Sequence, residues 1–124
     1  MLEFDLTKMT NQDFKKGFDR LVKEKYATTR ETIFQYTKKL VEKKHNNEYE
    51  IVQTVEKNKT IVAPEKGMEP RARSLEFGTA EQKPIIAWRM VFKKLMALTR
   101  KDEPTLNLRK HFGRVVKGKA DNKL

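Results

Sequence analysis

Arg71-Ala-Arg-Ser-Leu-Glu-Phe-Gly-Thr-Ala-Glu-Gln-Lys-Pro-Ile-Ile-Ala-Trp-Arg89 is the stretch whose reading decides the architecture of this chain. Arg71, Arg73, Leu75 and Phe77 alternate with Ala72, Ser74 and Glu76. That period of two predicts a strand with one half-buried face. Gly78 breaks the alternation and is placed to supply a positive φ where the chain leaves the sheet. Thr79 to Lys83 is polar and unpatterned, a short loop. Pro84 suits the first turn of a helix, where its missing N–H is no loss. Ile85, Trp88, Phe92, Leu95 and Thr99 then recur at helical spacing, so a helix is expected to end near Arg100.

Within that unit Leu75 and Phe77 bury against the helix, each contributing roughly 1.5–3 kcal/mol. Glu76 falls on the opposite face of the expected strand. It reads either as a solvated carboxylate or as an acidic contact to a basic patch on a neighbouring subunit. Trp88 reads as a core ring or as an amphipathic anchor at a subunit contact.

Upstream, Leu2, Phe4 and Leu6 alternate, which gives either a strand at the sheet edge or an extended arm reaching a neighbour. Thr10 reads as an N-cap, with Asp13 in the first turn and Met9 and Phe14 at staple positions. Phe14, Phe18, Leu21, Val22, Tyr26, Ile33, Leu40 and Val41 then predict one helix to about Lys44. At 1.5 Å per residue such a helix spans about 50 Å and overhangs or bends around a domain roughly 35 Å across. His45-Asn46-Asn47 reads as its stop. Tyr49 to Val55, a turn at Lys57-Asn58-Lys59 and the return Thr60-Ile61-Val62 form a hairpin. Ala63 to Pro70, bounded by two prolines, is expected to be a loop.

The 124 residues suffice for one domain with a modest core, and 37% hydrophobic against 36% charged residues makes that core lean. No apolar run approaches a membrane span, and Met1-Leu2-Glu3-Phe4-Asp5 does not read as a signal peptide. The absence of cysteine excludes disulfides and cysteine-ligated zinc and suits a reducing cytoplasm. A net charge of +11 and a pI near 9.9 point to an anionic partner. Residues 101–124 are expected to form a basic extension to a domain of residues 1–100. From Arg100 onward eight basic residues stand against three acidic ones, a net of +5. That extension reads as a solubilising tail, or as an arm in which Arg109, Lys110 and Arg114 meet an acidic neighbour or DNA phosphates. Phe112 favours docking on protein.

Catalytic patterns are missing. His45 and His111 have no metal-ligand spacing to a partner, Glu65, Glu69 and Glu76 follow no metal-binding pattern, and there is no phosphate loop or nucleophile elbow. No helix-turn-helix, zinc finger or RNA-recognition signature is visible, so any DNA contact would be to phosphate without sequence specificity. Neither an enzyme activity nor a cofactor is expected. A small basic ribonuclease-like toxin lacks a set of catalytic residues here.

Leu75-Glu76-Phe77-Gly78-Thr79, the polar loop and the Pro84-led helix resemble the signature of tailed-bacteriophage tail-completion (head–tail joining, neck) proteins. In that family a Val-Glu-Phe-Gly-Thr-like run ending a strand precedes a Pro- and aromatic-rich entry to the last helix. Glu76, Phe77, Gly78, Thr79 and Pro84 match, while the family's tyrosine before the run is replaced by Arg73 or Ser74. Its Pro-Phe-Leu-Arg becomes Pro84-Ile85-Ile86, with Trp88 and Arg89 beyond. The match covers about twenty residues. The expected fold is α+β: a long N-terminal helix and a C-terminal helix packed on a small, mostly antiparallel sheet. The resemblance implies a virion protein, assembled in the bacterial cytoplasm as a homo-oligomeric, hexameric ring. That ring would dock the tail to the filled head, between a head-side connector or stopper and tail terminator or tube proteins. DNA would pass through its channel without sequence-specific contact, and no membrane is involved. Glu76, Gly78, Thr79, Pro84, Trp88, Arg109, Lys110, Phe112 and Arg114 are the expected subunit or partner contacts. The alternative is a nonspecific nucleic-acid-binding protein.

Overall fold

The structure, a computed structural model, describes residues 2–5, 12–98 and 106–108, of which residues 12, 13 and 106–108 are described by their backbone alone. The fold is α+β, with the order β1 (Leu2–Asp5), α1 (Gln12–Val22), α2 (Thr29–Lys44), β2 (Ile51–Glu56), β3 (Lys59–Pro64), α3 (Glu69–Phe77), α4 (Trp88–Met96) and β4 (Leu106–Leu108). The four strands form one antiparallel sheet in the order β2-β3-β1-β4. β1 is therefore interior, neither an edge strand nor an arm, with Leu2 opposite Val62 on one side and Leu108 on the other. Its alternation is real: Leu2 and Phe4 are buried and Glu3 and Asp5 only partly so. β4 lies within the stretch expected as an extension, and its pairing joins that stretch to the sheet.

The helix expected over residues 10–44 is two helices. Val22 ends α1, Lys23 takes a left-handed φ of 59°, and Thr28 restarts the chain, its hydroxyl accepting from the N–H of Glu31 at 3.1 Å. Thr28-x-x-Glu31 is the N-cap spacing of a new helix, which a continuous apolar stripe hides. The turn lets both amphipathic faces bury: Phe18 and Val22 from α1 join Ile33, Tyr36 and Val41 from α2 in one core. Asp19 ties the pair, its carboxylate accepting from Lys15 at 2.7 Å and from the Thr32 hydroxyl at 2.8 Å. Burial works to raise the Asp19 pKa, but those two hydrogen bonds, the Lys15 charge and a backbone hydrogen bond from Tyr26 together hold the carboxyl below its ordinary range. Gly17 has its own reason: a Cβ there would lie 3.2 Å from Leu98, which follows α4. Thr10 and Met9, the expected cap and staple, lie outside the described residues.

The hairpin forms as expected, with Lys57 at φ 53° in its turn. The loop after it is shorter than the expected Ala63 to Pro70. β3 runs through Pro64, and Pro70 sits in the first turn of α3. The largest correction concerns residues 71–77, which are helix and not strand. Ala72, Leu75 and Glu76 are the buried residues, spaced for one helical face, and Phe77 is half-buried. The alternation misled because Arg71 and Arg73 bracket one buried alanine. Glu69-Pro70, an acidic residue and a proline in a first turn, was the competing helix-start signal. α4 likewise begins at Trp88, four residues after Pro84, and ends at Met96 instead of near Arg100.

A lysine in the left-handed region is strained relative to glycine by about 1 kcal/mol. Lys23→Gly is therefore expected to raise the unfolding free energy by about that amount in urea titrations. A decrease would show that the α1–α2 turn is held by the lysine side chain.

Candidate functional site

Where α3 hands over to α4 the chain makes a closed device from the residues of the Leu-Glu-Phe-Gly-Thr run. Gly78 ends α3 at φ 82°, ψ 171°, a region open essentially to glycine alone. Space forbids a side chain there too, since a Cβ would meet Gln82 O and the Pro84 ring at 2.9 Å. The Thr79 hydroxyl accepts from the N–H groups of Glu81 and Gln82 at 3.2 and 3.1 Å, and Thr79 N–H donates to Gln82 O at 2.9 Å. The loop thus folds back, Pro84 abuts Gly78, and Ile85 N–H reaches Leu75 O at 2.8 Å. That return brings the start of α4 to the end of α3.

Glu76 occupies the junction, fully buried. Its Oε1 accepts from the N–H groups of Ala87 and Trp88 at 3.0 and 2.9 Å. Oε2 accepts from Arg89 N–H at 3.2 Å and from Arg89 Nε at 2.8 Å. The same guanidinium donates to Glu76 O and stacks over Phe77, 4.5 Å from the ring centre. One carboxylate therefore caps the orphan N–H groups of α4, meets the positive end of its dipole and forms a buried ion pair. Both oxygens are saturated from within the chain.

A second branch joins α2. His45, the C-cap of that helix, is fully buried, with Asn46 and Asn47 beyond it in left-handed conformations that turn the chain towards β2. Its Nε2 lies 2.8 Å from Ile85 O and 3.5 Å from Glu76 Oε1. A carbonyl only accepts, so Nε2 carries a proton and donates its N–H to Ile85 O. In the neutral ring Nδ1 accepts from the Tyr49 hydroxyl at 2.6 Å, and that hydroxyl accepts from Trp88 Nε1 at 2.9 Å. Burial pushes the Tyr49 phenol above its ordinary value, which keeps the hydroxyl proton in place into the alkaline range. Among the described residues, every buried side-chain nitrogen and oxygen has a partner.

Glu76, Gly78, Thr79, Pro84 and Trp88, five of the expected contact residues, meet at this one junction. Glu76 and Trp88 are interior, so both readings of Glu76 as an outward carboxylate are corrected: the residue faces the core because its segment is a helix. Trp88 takes the core position that was one of its two readings. Arg109, Lys110, Phe112 and Arg114 lie outside the described residues. His45, Tyr49 and Arg89 are the members that sequence reasoning missed. Among the described residues, no group of three or more acidic or histidine side chains is placed to hold a metal, and no helix is long and apolar enough to cross a membrane. No protein family, curated protein or solved structure matches the chain.

Glu76→Gln turns one oxygen into an NH₂ facing the N–H donors and guanidinium, leaving Arg89 without its charge partner. It is expected to destabilise the fold by about 3–5 kcal/mol in chemical denaturation; a loss below about 1 kcal/mol would mean that the junction relaxes around the amide. The raised Tyr49 value also sets an alkaline dependence. Tyrosine loses its proton near 10 in the unfolded chain and later in the folded one, so its contribution is complete below that pH and declines above it. Tyr49→Phe is expected to flatten the fall in stability above pH 10 while lowering stability at neutral pH by about 1–3 kcal/mol. An unchanged alkaline slope would overturn this assignment.

Proposed function

We propose that this chain is a structural building block, a head–tail joining protein of the tail-completion kind that assembles as a ring around the DNA channel of a tailed-phage neck. The observation that carries the reading is a sheet edge that no other described strand covers. Among the described residues β2 pairs with β3 on one side only, and from Val52 to Glu56 every residue is exposed. Val52 and Val55, at 40% and 48% exposure, lie on opposite faces of that strand, so β2 beyond Ile51 is open on both faces while β3 is buried in the sheet. Soluble proteins blunt such edges unless they are used. Here the backbone edge and two valines are offered to a neighbour.

Two further features support it. The junction built from Glu76, Phe77, Gly78, Thr79 and Pro84 gives the resembling residues a shared task, joining α3 to α4 by a sealed polar core. A closed ring also needs two different complementary surfaces on each subunit. β2 supplies one, and the ring's neighbours would be the connector or stopper on the head side and terminator or tube proteins on the tail side. DNA would be met through its phosphates only. The net charge of +11 is the observation that favours a second reading, a nonspecific nucleic-acid-binding protein.

Sedimentation across a concentration series compares the wild type with Val52→Lys/Val55→Lys, two exposed changes that leave the core untouched. Self-association is expected in the wild type, with rings visible by negative-stain electron microscopy, and loss of both in the variant. A chain that stays monomeric throughout, and binds short duplex DNA with a steep salt dependence, would replace this reading by the second one.

A further inference from the structure

The corner between α1 and α2 carries a surface that the β2 edge does not explain. Leu21 and Val22 from α1 and Tyr36 and Leu40 from α2 floor a groove of about 520 Å³. Its rim is basic: Lys23, Lys39, Lys43 and Lys44. Lys39 reaches Glu24 at 3.3 Å, but among the described residues Lys23, Lys43 and Lys44 make no ion pair. The ammonium row continues past Lys23 into a second depression, where Lys16, Arg20 and Lys25 stand beside Asp19 and Glu24. Asp19 is already engaged by Lys15 and Thr32. Lys23 belongs to both depressions and is the residue held at φ 59°. A glycine would relieve that turn and remove the charge between them.

We propose that this groove docks an acidic amphipathic helix of a different protein. An apolar floor with cationic walls is the complement of a helix bearing leucine-like residues on one stripe and carboxylates on its flanks. Charge selects against the other occupants at hand. A second copy carries +11 itself, and its residues 109–124 hold six basic residues against Asp121 alone. Nucleic acid would use the lysines and leave the floor of Leu21 and Leu40 unmatched, because phosphate contacts need no apolar surface. The inference goes beyond the ring reading and is independent of it: the ring is tested at β2, and the groove is tested whether or not the chain self-associates.

The probe is a fluorescent synthetic helix of about fifteen residues with leucines at i, i+4 and i+7 and glutamates on both flanks. Anisotropy titrations compare it with the same peptide carrying glutamine for glutamate. The acidic peptide is expected to bind at least about tenfold more tightly, a difference of about 1.4 kcal/mol. Lys43→Glu/Lys44→Glu and Leu40→Gln are each expected to weaken it by about tenfold or more. Thermal melts of these variants verify folding, and Lys23→Gly supplies the decisive contrast, a more stable protein that binds less well. Equal affinity for the two peptides, or Leu40→Gln binding undiminished, overturns the proposal. So does short duplex DNA, or an anionic phosphatidylserine vesicle, displacing the peptide while Leu40→Gln leaves that displacement unchanged.

Discussion

A carboxylate withdrawn from water must have its charge balanced and its lone pairs met, or the chain does not fold around it. Glu76 imposes that requirement on the centre of this protein. Its partners are three consecutive backbone N–H groups, Ala87 to Arg89, and one guanidinium, all from the start of α4. Three successive N–H groups stand free together at a helix N-terminus, so the carboxylate caps α4 and marks where it begins. The loop from Gly78 to Ile86 is then constrained at both ends. Gly78 supplies the turn that no other residue reaches, and Thr79 ties the loop to itself. In this reading the Glu-Phe-Gly-Thr run is a folding device whose parts have separate physical duties.

The same junction recruits α2 through His45. That ring, when neutral, donates a hydrogen bond to Ile85 O and accepts one from the Tyr49 hydroxyl, which in turn accepts from Trp88. Each group has one arrangement that satisfies it, so the helices α2, α3 and α4 share a single register. A purely apolar contact would tolerate sliding; this network does not. The sheet follows, because Tyr49 lies two residues before β2 and anchors the base of the hairpin. Ile51 is buried there, while the rest of β2 is exposed. Among the described residues the hairpin is thus anchored at its root and exposed along its outer strand.

Much of this could be read in the sequence, and the failures have identifiable causes. The hairpin, the stop at His45-Asn46-Asn47 and the mixed class follow from local periodicity and turn residues. Residues 71–77 fit two periods at once, since Ala72, Leu75 and Glu76 lie on a helical face while Arg71, Arg73, Leu75 and Phe77 alternate. The alternation favours the strand and so turns Glu76 outward; the partner that makes its burial tolerable, Arg89, is thirteen residues away. His45 and Tyr49 were invisible for the same reason. Their contacts with Ile85 and Trp88 span 40 and 39 residues, and no local pattern encodes such pairs. The break at Lys23 was hidden by an apolar stripe that continues through it, although Thr28 and Glu31 marked the restart.

Among the described residues the interior polar groups are consumed by one another, and the contacts proposed for this chain lie at its outside. The described surface divides into regions of different chemistry. At β2 the offering is backbone hydrogen bonding and two valines, which suits a partner of similar kind laid edge to edge. At the α1–α2 corner it is ammonium groups around an apolar floor, which suits a partner of opposite charge. A basic protein repels its copies at long range, so self-assembly has to rely on short-range contacts, while an acidic partner gains from both. Like subunits through the sheet edge and unlike ones through the charged corner is the division of labour that this distribution of charge and apolar surface favours.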